Sequence, residues 1–464
     1  MIMQQTSSKI VGNLSWDGLR GSQLYVAMAA LLLGLFFSVM DGTVCNVALP
    51  TIAEQLAISS ADSIWIVNSF QLIIVMMLLP FAQLGEIVGY RRVYLSGLML
   101  FTLGSLLCGL SCSFGLLVAA RILQGVGAAM VMSISTSLIR LIYPKKHLGK
   151  GIGLNATVVA LGMVVGPAFT GAVLSVANWP WLFIVNVPFG IAACALGWRS
   201  LPENPTRIAG RRFDRRDAVL NALTFGLFLG CFEAYSHSAP WWIVLAACVL
   251  FAGFAWAYVS RQKGREFPML PLDLLRIPVF SLSVLTSIVS FAAQMTAMIA
   301  IPFLLKHQFG YDPVETGLLM TAYPAVILIV APLSGILIGR VNPEVLGSIG
   351  LLILCAGSFL LSFLPADSQF GDIAWRLGVC GMGFGFFQSP NNHIILTSAP
   401  QHRTGSASGM MAMARLVGQT LGATCVALFF SMFGAEGASS ALFFGGVLSL
   451  AGMISSCLRL VKSR

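Results

Sequence analysis

Fourteen apolar stretches, each about as long as a bilayer is thick, take up most of this chain. A helix needs about 20 apolar residues to cross the hydrocarbon core. Such stretches lie near 25–47, 64–83, 93–112, 114–139, 151–175, 181–200, 217–236, 241–260, 279–305, 314–338, 345–364, 373–398, 406–431 and 439–459. Lipid offers the backbone no hydrogen bonds, so each stretch must satisfy its own amides and carbonyls, which a helix does. The longest polar connection is about twenty residues, too short to fold alone. With 57% of residues hydrophobic and 9% charged, a soluble globule is excluded. The expected fold class is an all-α membrane protein with 14 transmembrane helices.

The formal charge of +10 raises the question of a nucleic-acid partner, and the positions of the cations answer it. All but four of the 27 Lys and Arg residues fall in connections on the side that holds both termini. Lys306 and Arg376 lie opposite, and Arg121 and Arg415 lie within spans. Cytoplasmic loops carry such an excess, so both termini and the 199–216 and 261–278 loops are expected in the cytoplasm. The charge reports topology, and no nucleic acid is expected. Trp65, Trp179, Trp181, Trp241, Trp242 and Trp375 near the outer ends agree, because indole favours the interface. The first apolar run is too long for a signal peptide's apolar region and is expected to be retained. The ten cysteines, nearly all within spans, lack metal or disulfide spacing and read as small packing residues.

The two long basic loops divide the chain into six, two and six spans. The expected units are an N-terminal half over 1–200, linkers with a two-helix accessory hairpin over 201–278, and a C-terminal half over 279–464. Because the hairpin is even in number, both halves run in the same direction.

Asp41 is the one acid in the first span. A carboxylate at the centre of a membrane helix costs about 2.5–3.5 kcal/mol on insertion scales, so it implies a partner, water or a task. Reversible protonation is the expected task, and a packing hydrogen bond is the bland alternative. Arg121 in "RILQGVGAAMV" puts a cation in the fourth span, with Gln124 and Gly125 on nearby faces. Asp41 is a candidate partner for it, since each relieves the other's desolvation.

Other polar residues at membrane depth are candidates for contacting a cargo. They are Asn68 and Gln124, Gln294 and Met298 in "SFAAQMTAM", and Gln388, Asn391 and Asn392 beside His393; Arg415 in "MARLVGQTLG" is a second intramembrane cation. Taken singly, each amide could merely tie helices together. The stretch "GMVVGPAFTG" places Gly162, Gly166, Pro167 and Gly171 on the fifth span, a flat face suited to close helix contact. The loop "AQLGEIVGYRR" combines Gly85 and the turn-permitting Gly89 with Glu86, Arg91 and Arg92, suited to a breakable ion pair at a neighbouring helix end.

Together, "MDGTVCNVALP", "RILQGVG", "GMVVGPAFTG" and "WPWLFIVNVPFG" (179–190), in this order and at these spacings, resemble the fourteen-span drug:proton antiporters of the major facilitator superfamily. The resemblance covers almost the whole chain. It implies the major facilitator fold, two pseudo-symmetric six-helix halves with a site between them, and export by alternating access. It also implies that Asp41 is the proton-linked acid, Arg121 the coupling arginine, residues 162–171 the antiporter signature and residues 85–92 a cytoplasmic latch. Thr170 departs from the family pattern, as do Ala82, Glu86, Ile87 and Tyr90 in the latch loop.

The expected function is proton-coupled export of lipophilic, cationic drugs across a bacterial inner membrane, with Asp41 holding the cargo until protonated. No cofactor is expected, since the proton gradient drives the cycle. The partners are small molecules, protons and the bilayer, and a periplasmic adaptor is left open. The rival within transport is a dedicated exporter of an amino acid, lipid or siderophore, with Arg415 and the 388–393 set recognising a carboxylate. A membrane enzyme is disfavoured by the dispersal of His147, His237, His307, His393 and His402. A channel is the remaining alternative.

Overall fold

The computed structural model describes residues 18–144, 147–203, 213–236, 240–263, 270–338, 340–400 and 403–462. His237, His402 and part of the basic set, including Lys145, Lys146, Arg207, Arg211, Arg212 and Arg265, lie outside the described residues. So does the side chain of Glu233. Among the described residues there is no strand.

Fourteen long helices follow one another: α1 (Gly21–Gln55), α2 (Trp65–Val88), α3 (Tyr90–Gly109), α4 (Phe114–Ile142), α5 (Leu148–Val176), α6 (Asn186–Ser200), α7 (Arg215–Ser236), α8 (Trp241–Gln262), α9 (Pro278–His307), α10 (Pro313–Leu337), α11 (Pro343–Ser362), α12 (Phe370–Ser398), α13 (Thr404–Phe433) and α14 (Gly437–Lys462). Twelve are apolar enough over their length to count as membrane spans on composition alone. The other two, α7 and α12, carry more polar side chains.

Local chemistry sets the boundaries. Asp312 caps α10 in a reciprocal box with Glu315 and is followed by Pro313, which needs no amide partner at the first helical position. Asn342 and Pro343 start α11 in a similar way. Between α2 and α3 the chain reverses at one residue, Gly89, whose φ of 115° disfavours any side chain.

The first six helices pack mainly on each other, as do the last six, and the halves meet at α1–α9 and along two further seams. In one, α5 lies against α10: a Cβ on Gly317 would sit 2.5 Å from the Pro167 carbonyl, and one on Gly171 would sit 2.8 Å from the Pro313 carbonyl. Small residues let these backbones touch, as is usual where lipid supplies no hydrophobic drive between helices. In the other seam α2 faces α13, and α7 of the accessory hairpin packs on both. Asn221 anchors α7 by donating to the Met76 carbonyl at 2.7 Å, and Tyr258 of α8 donates to Asn221 Oδ1 at 3.1 Å. The outer helix α8 leaves Trp241, Trp242, Leu250 and Trp256 exposed, a surface suited to acyl chains.

Candidate functional site

Between the halves lies a cavity of about 200 Å³. Leu35 and Val39 of α1, Leu78 of α2, Met132, Ser135 and Thr136 of α4, and Asn155 and Val159 of α5 line one wall. Phe291 of α9, Gln388 and Asn392 of α12, and Ser408, Met411 and Arg415 of α13 line the other. All of these belong to the parts of their helices nearer the end that carries both termini and most of the basic residues. Among the described residues, Arg415 is the one charged group on the wall.

The far end is shut. Lys306 at the end of α9 bonds Glu54 at the end of α1 and donates to the Pro50 carbonyl at 3.3 Å. Asn68 of α2 donates to Thr424 Oγ1 of α13 at 3.4 Å. Asn46 and Gln71 both donate to the sulfur of Met295, each at 3.9 Å. Just inside this closure a small void is lined by Asn46, Pro167, Gln294, Met298, Met320 and Tyr323. The Asn46 and Gln71 carbonyl oxygens, both polar atoms of Gln294, and the Tyr323 hydroxyl are buried there without a hydrogen-bond partner. Each such group costs on the order of 1–3 kcal/mol, so the closed end holds several groups that water or a ligand would satisfy.

Asp41 and Arg121 meet, as the desolvation argument allowed. Their ion pair is sealed, with 1% of Asp41 and none of Arg121 exposed. Asp41 Oδ1 also accepts from Gln124 Nε2 at 2.9 Å and from Asn186 Nδ2 at 3.0 Å. Arg121 donates to Gln124 Oε1 at 2.6 Å and to the Ile66 carbonyl at 3.0 Å, and its guanidinium carbon lies 4.1 Å from the centre of the Phe70 ring. Gln124 further donates to Ser105 Oγ at 2.8 Å. One carboxylate thus ties α1, α4 and α6 together.

This geometry corrects three expectations. Asp41 is off the cavity wall, so it cannot hold a cargo directly. Gln124 is a partner of the ion pair and does not line the cavity, because a residue three positions from Arg121 shares its helix face. Asn391 turns about 100° away from Asn392. It donates to Ser287 Oγ at 2.7 Å and accepts from Arg459 at 2.5 Å, inside the second half. His393 is exposed. Of the other candidates, Gln388, Asn392 and Arg415 share the open cavity, while Asn68, Gln294 and Met298 belong to the closed end.

The glycine stretch of α5 is a packing surface. Gly162 faces the Phe36 carbonyl of α1, Gly166 faces Thr43, and Gly171 faces α10, so α5 touches both halves. Gly85 packs on Ile134 and Tyr90. Arg91 donates to the Trp198 carbonyl and pairs with Glu203 at 3.7 Å, both at the end of α6 in its own half. Arg92 is exposed and Glu86 partly buried.

Four residues were missed. Asn186 sits inside a quoted motif but is a lone amide among apolar neighbours. Asn155 lines the cavity with its carbonyl oxygen unpaired. Tyr323 reads as a core aromatic. Arg459, near the chain end, reads as a surface anchor yet is fully buried, donating to Ser283 at 2.8 Å and Ser456 at 2.6 Å.

Two similarly directed six-helix halves with a cavity between them are the arrangement of secondary transporters, a class that works by exposing one site to each side in turn. The chain belongs to the Major Facilitator Superfamily, whose family model matches residues 31–423 and 282–463. It is 46% identical over 448 residues to the uncharacterized transporter YebQ of Escherichia coli strain K12, covering 97% of this chain and 98% of YebQ. It is 28% identical to the riboflavin transporter RibZ of Clostridioides difficile, covering 88% and 89% of the two chains. It is 32% identical to the multidrug resistance protein Stp of Mycobacterium tuberculosis, covering 86% and 74%. The protein is a multi-pass membrane transporter of small molecules and not an enzyme.

Proposed function

We propose that this transporter is a proton-coupled exporter of lipophilic small molecules in a bacterial inner membrane, with its termini and the open cavity on the cytoplasmic side. The observation that carries the reading is a buried carboxylate–guanidinium pair on α1 and α4, the helices that also form the cavity wall. The relative named for multidrug resistance supports drugs as cargo, and the one named for riboflavin supports a dedicated metabolite exporter as the second reading. The layout and the motifs of α1, α4, α5 and α6 support the fourteen-span drug:proton antiporters as the subfamily.

Coupling in this reading runs through conformation. With the far end open, a proton reaching Asp41 neutralises it and weakens its charge-assisted bonds to Arg121, Gln124 and Asn186, which are about twice as strong as neutral ones. α1 is then less firmly held to α4 and α6. The same helix carries Asn46, Pro50 and Glu54 of the far closure and rests on the α5 glycines, so a change at Asp41 acts on the gate. Proton and cargo drive exchange because each binds the two conformations with different affinity. They do not compete for one oxygen.

The test is transport into everted vesicles under an imposed pH gradient, comparing the parent with Asp41→Asn. Gradient-driven accumulation is expected to vanish while counterflow of cargo, which needs no proton, continues. Unchanged gradient-driven transport would remove Asp41 from the mechanism.

A further inference from the structure

We infer that the cavity takes amphiphilic organic anions, with Arg415 as the residue that binds the cargo's carboxylate, sulfonate or phosphate group. This rests on the transport reading above and narrows it to a substrate class.

Three arginines of the spanning helices differ in how they are held. Arg121 bonds a carboxylate, an amide and a backbone carbonyl. Arg459 bonds two hydroxyls and an amide. Arg415 makes no hydrogen bond or ion pair to any described residue, although it lies roughly 16 Å along α13 at 1.5 Å per residue, well into the hydrocarbon zone. An intramembrane cation of this kind calls for a counter-charge, and among the described residues no Asp or Glu lines the cavity it faces. A cationic cargo would meet repulsion there.

The rest of the wall suits the polar end of an anion. Gln388 and Asn392, one turn apart on α12, share the wall with Arg415, and Ser408 lies two turns before it on α13. Asn155 stands on the opposite wall. Leu35, Val39, Val159 and Phe291 offer apolar contact to the remainder of the molecule.

A lipid headgroup would present similar anionic chemistry. On one side α7 lies across the α2–α13 seam, and the cavity sits toward the basic end of the bundle, which favours a soluble cargo arriving from that end.

The experiment uses two fluorescent probes with a shared xanthene core: fluorescein, an anion, and a cationic rhodamine. Binding to the purified full-length protein is measured by fluorescence polarisation for the parent, Arg415→Lys and Arg415→Gln, in phosphatidylcholine nanodiscs with and without phosphatidylglycerol. Fluorescein is expected to bind the parent, to weaken roughly 10- to 100-fold in Arg415→Gln, and to be largely retained in Arg415→Lys. The rhodamine is expected to bind the parent poorly and to gain in Arg415→Gln. Equal fluorescein binding by parent and Arg415→Gln, or parent binding of the rhodamine alone, overturns the proposal. Displacement of fluorescein by phosphatidylglycerol overturns the soluble-cargo assignment in favour of a lipid. Arg415-dependent binding without pH-driven uptake of fluorescein into everted vesicles leaves the anion site standing and sinks the exporter reading instead.

Discussion

Each half of the bundle holds a fully buried arginine that ties its first, fourth and sixth helices together, but the two nodes are chemically unlike. In the first half, Arg121 of α4 bonds the carboxylate of Asp41 on α1, which also accepts from Asn186 on α6. In the second, Arg459 of α14 bonds Ser283 on α9 and Asn391 on α12, and Ser456 connects onward to Ser348 on α11. The Glu344 charge attracts Arg459 without replacing those neutral partners. Among the described residues, only the first node has a proton-accepting group among its direct bonds. On the proposed coupling, the proton response belongs to the first half and the second is a constant clamp, which also supplies Arg415, the one charged residue on the cavity wall among the described residues.

The largest effect is expected from Arg121→Met, which leaves the Asp41 carboxylate buried and alone. Breaking one side of such a pair costs roughly 3–5 kcal/mol, so thermal unfolding of the purified variant should fall sharply. Asp41→Asn combined with Arg121→Met should recover much of that stability without recovering proton-driven transport. Recovery of both would erase the distinction between the nodes.

Arg459→Met comes next. It strands the Asn391 side-chain oxygen, while Ser283 keeps its bond to the Val279 carbonyl and Ser456 its bond to Ser348, so roughly 1–3 kcal/mol of stability should go. The dependence of transport rate on pH should keep the parent's shape, because nothing that titrates has been removed from the first half. A shifted pH profile would show that the second node is proton-linked as well.

Gly317→Val tests the seam between the halves. Its added Cβ would lie 2.5 Å from the Pro167 carbonyl, so α5 and α10 must part. Overpacking of this kind typically costs about 1–3 kcal/mol. Because the contact lies near the closed end, an Asn46→Cys reporter should be labelled faster by an impermeant thiol reagent applied from that side. The smallest change is expected from Lys306→Ala. Its partner Glu54 is largely exposed, so opening of the far end should rise slightly, and added salt should abolish the difference.

Several of these contrasts were within reach of sequence reading. The cost of a lone acid and a lone cation in lipid named Asp41 and Arg121 as partners, and the i, i+3 spacing put Gln124 on the arginine's face. What that spacing meant was ambiguous, since a shared face serves a hydrogen-bond network as well as a binding wall. The run Gln388, Ser389, Pro390, Asn391, Asn392 shows the limit more sharply. Neighbouring residues point about 100° apart on a helix, and periodicity alone does not say which direction is inward when every side of the helix meets protein. Arg459 was misjudged because a cation at the end of a span is normally free to reach the interface, and burial depends on the helices around it.

By itself the sequence determined the number and direction of the helices, the side that gathers positive charge, and the presence of costly charges at membrane depth. These follow from local energetics, since length, hydropathy and desolvation act residue by residue. Tertiary structure decided that Asp41 is sealed away from the cavity, that Arg415 lines it with no partner among the described residues, and that the cavity lies toward one end while the other is shut. Those outcomes depend on the rotation of each helix and on which neighbours it meets, quantities fixed by packing between segments far apart in the chain.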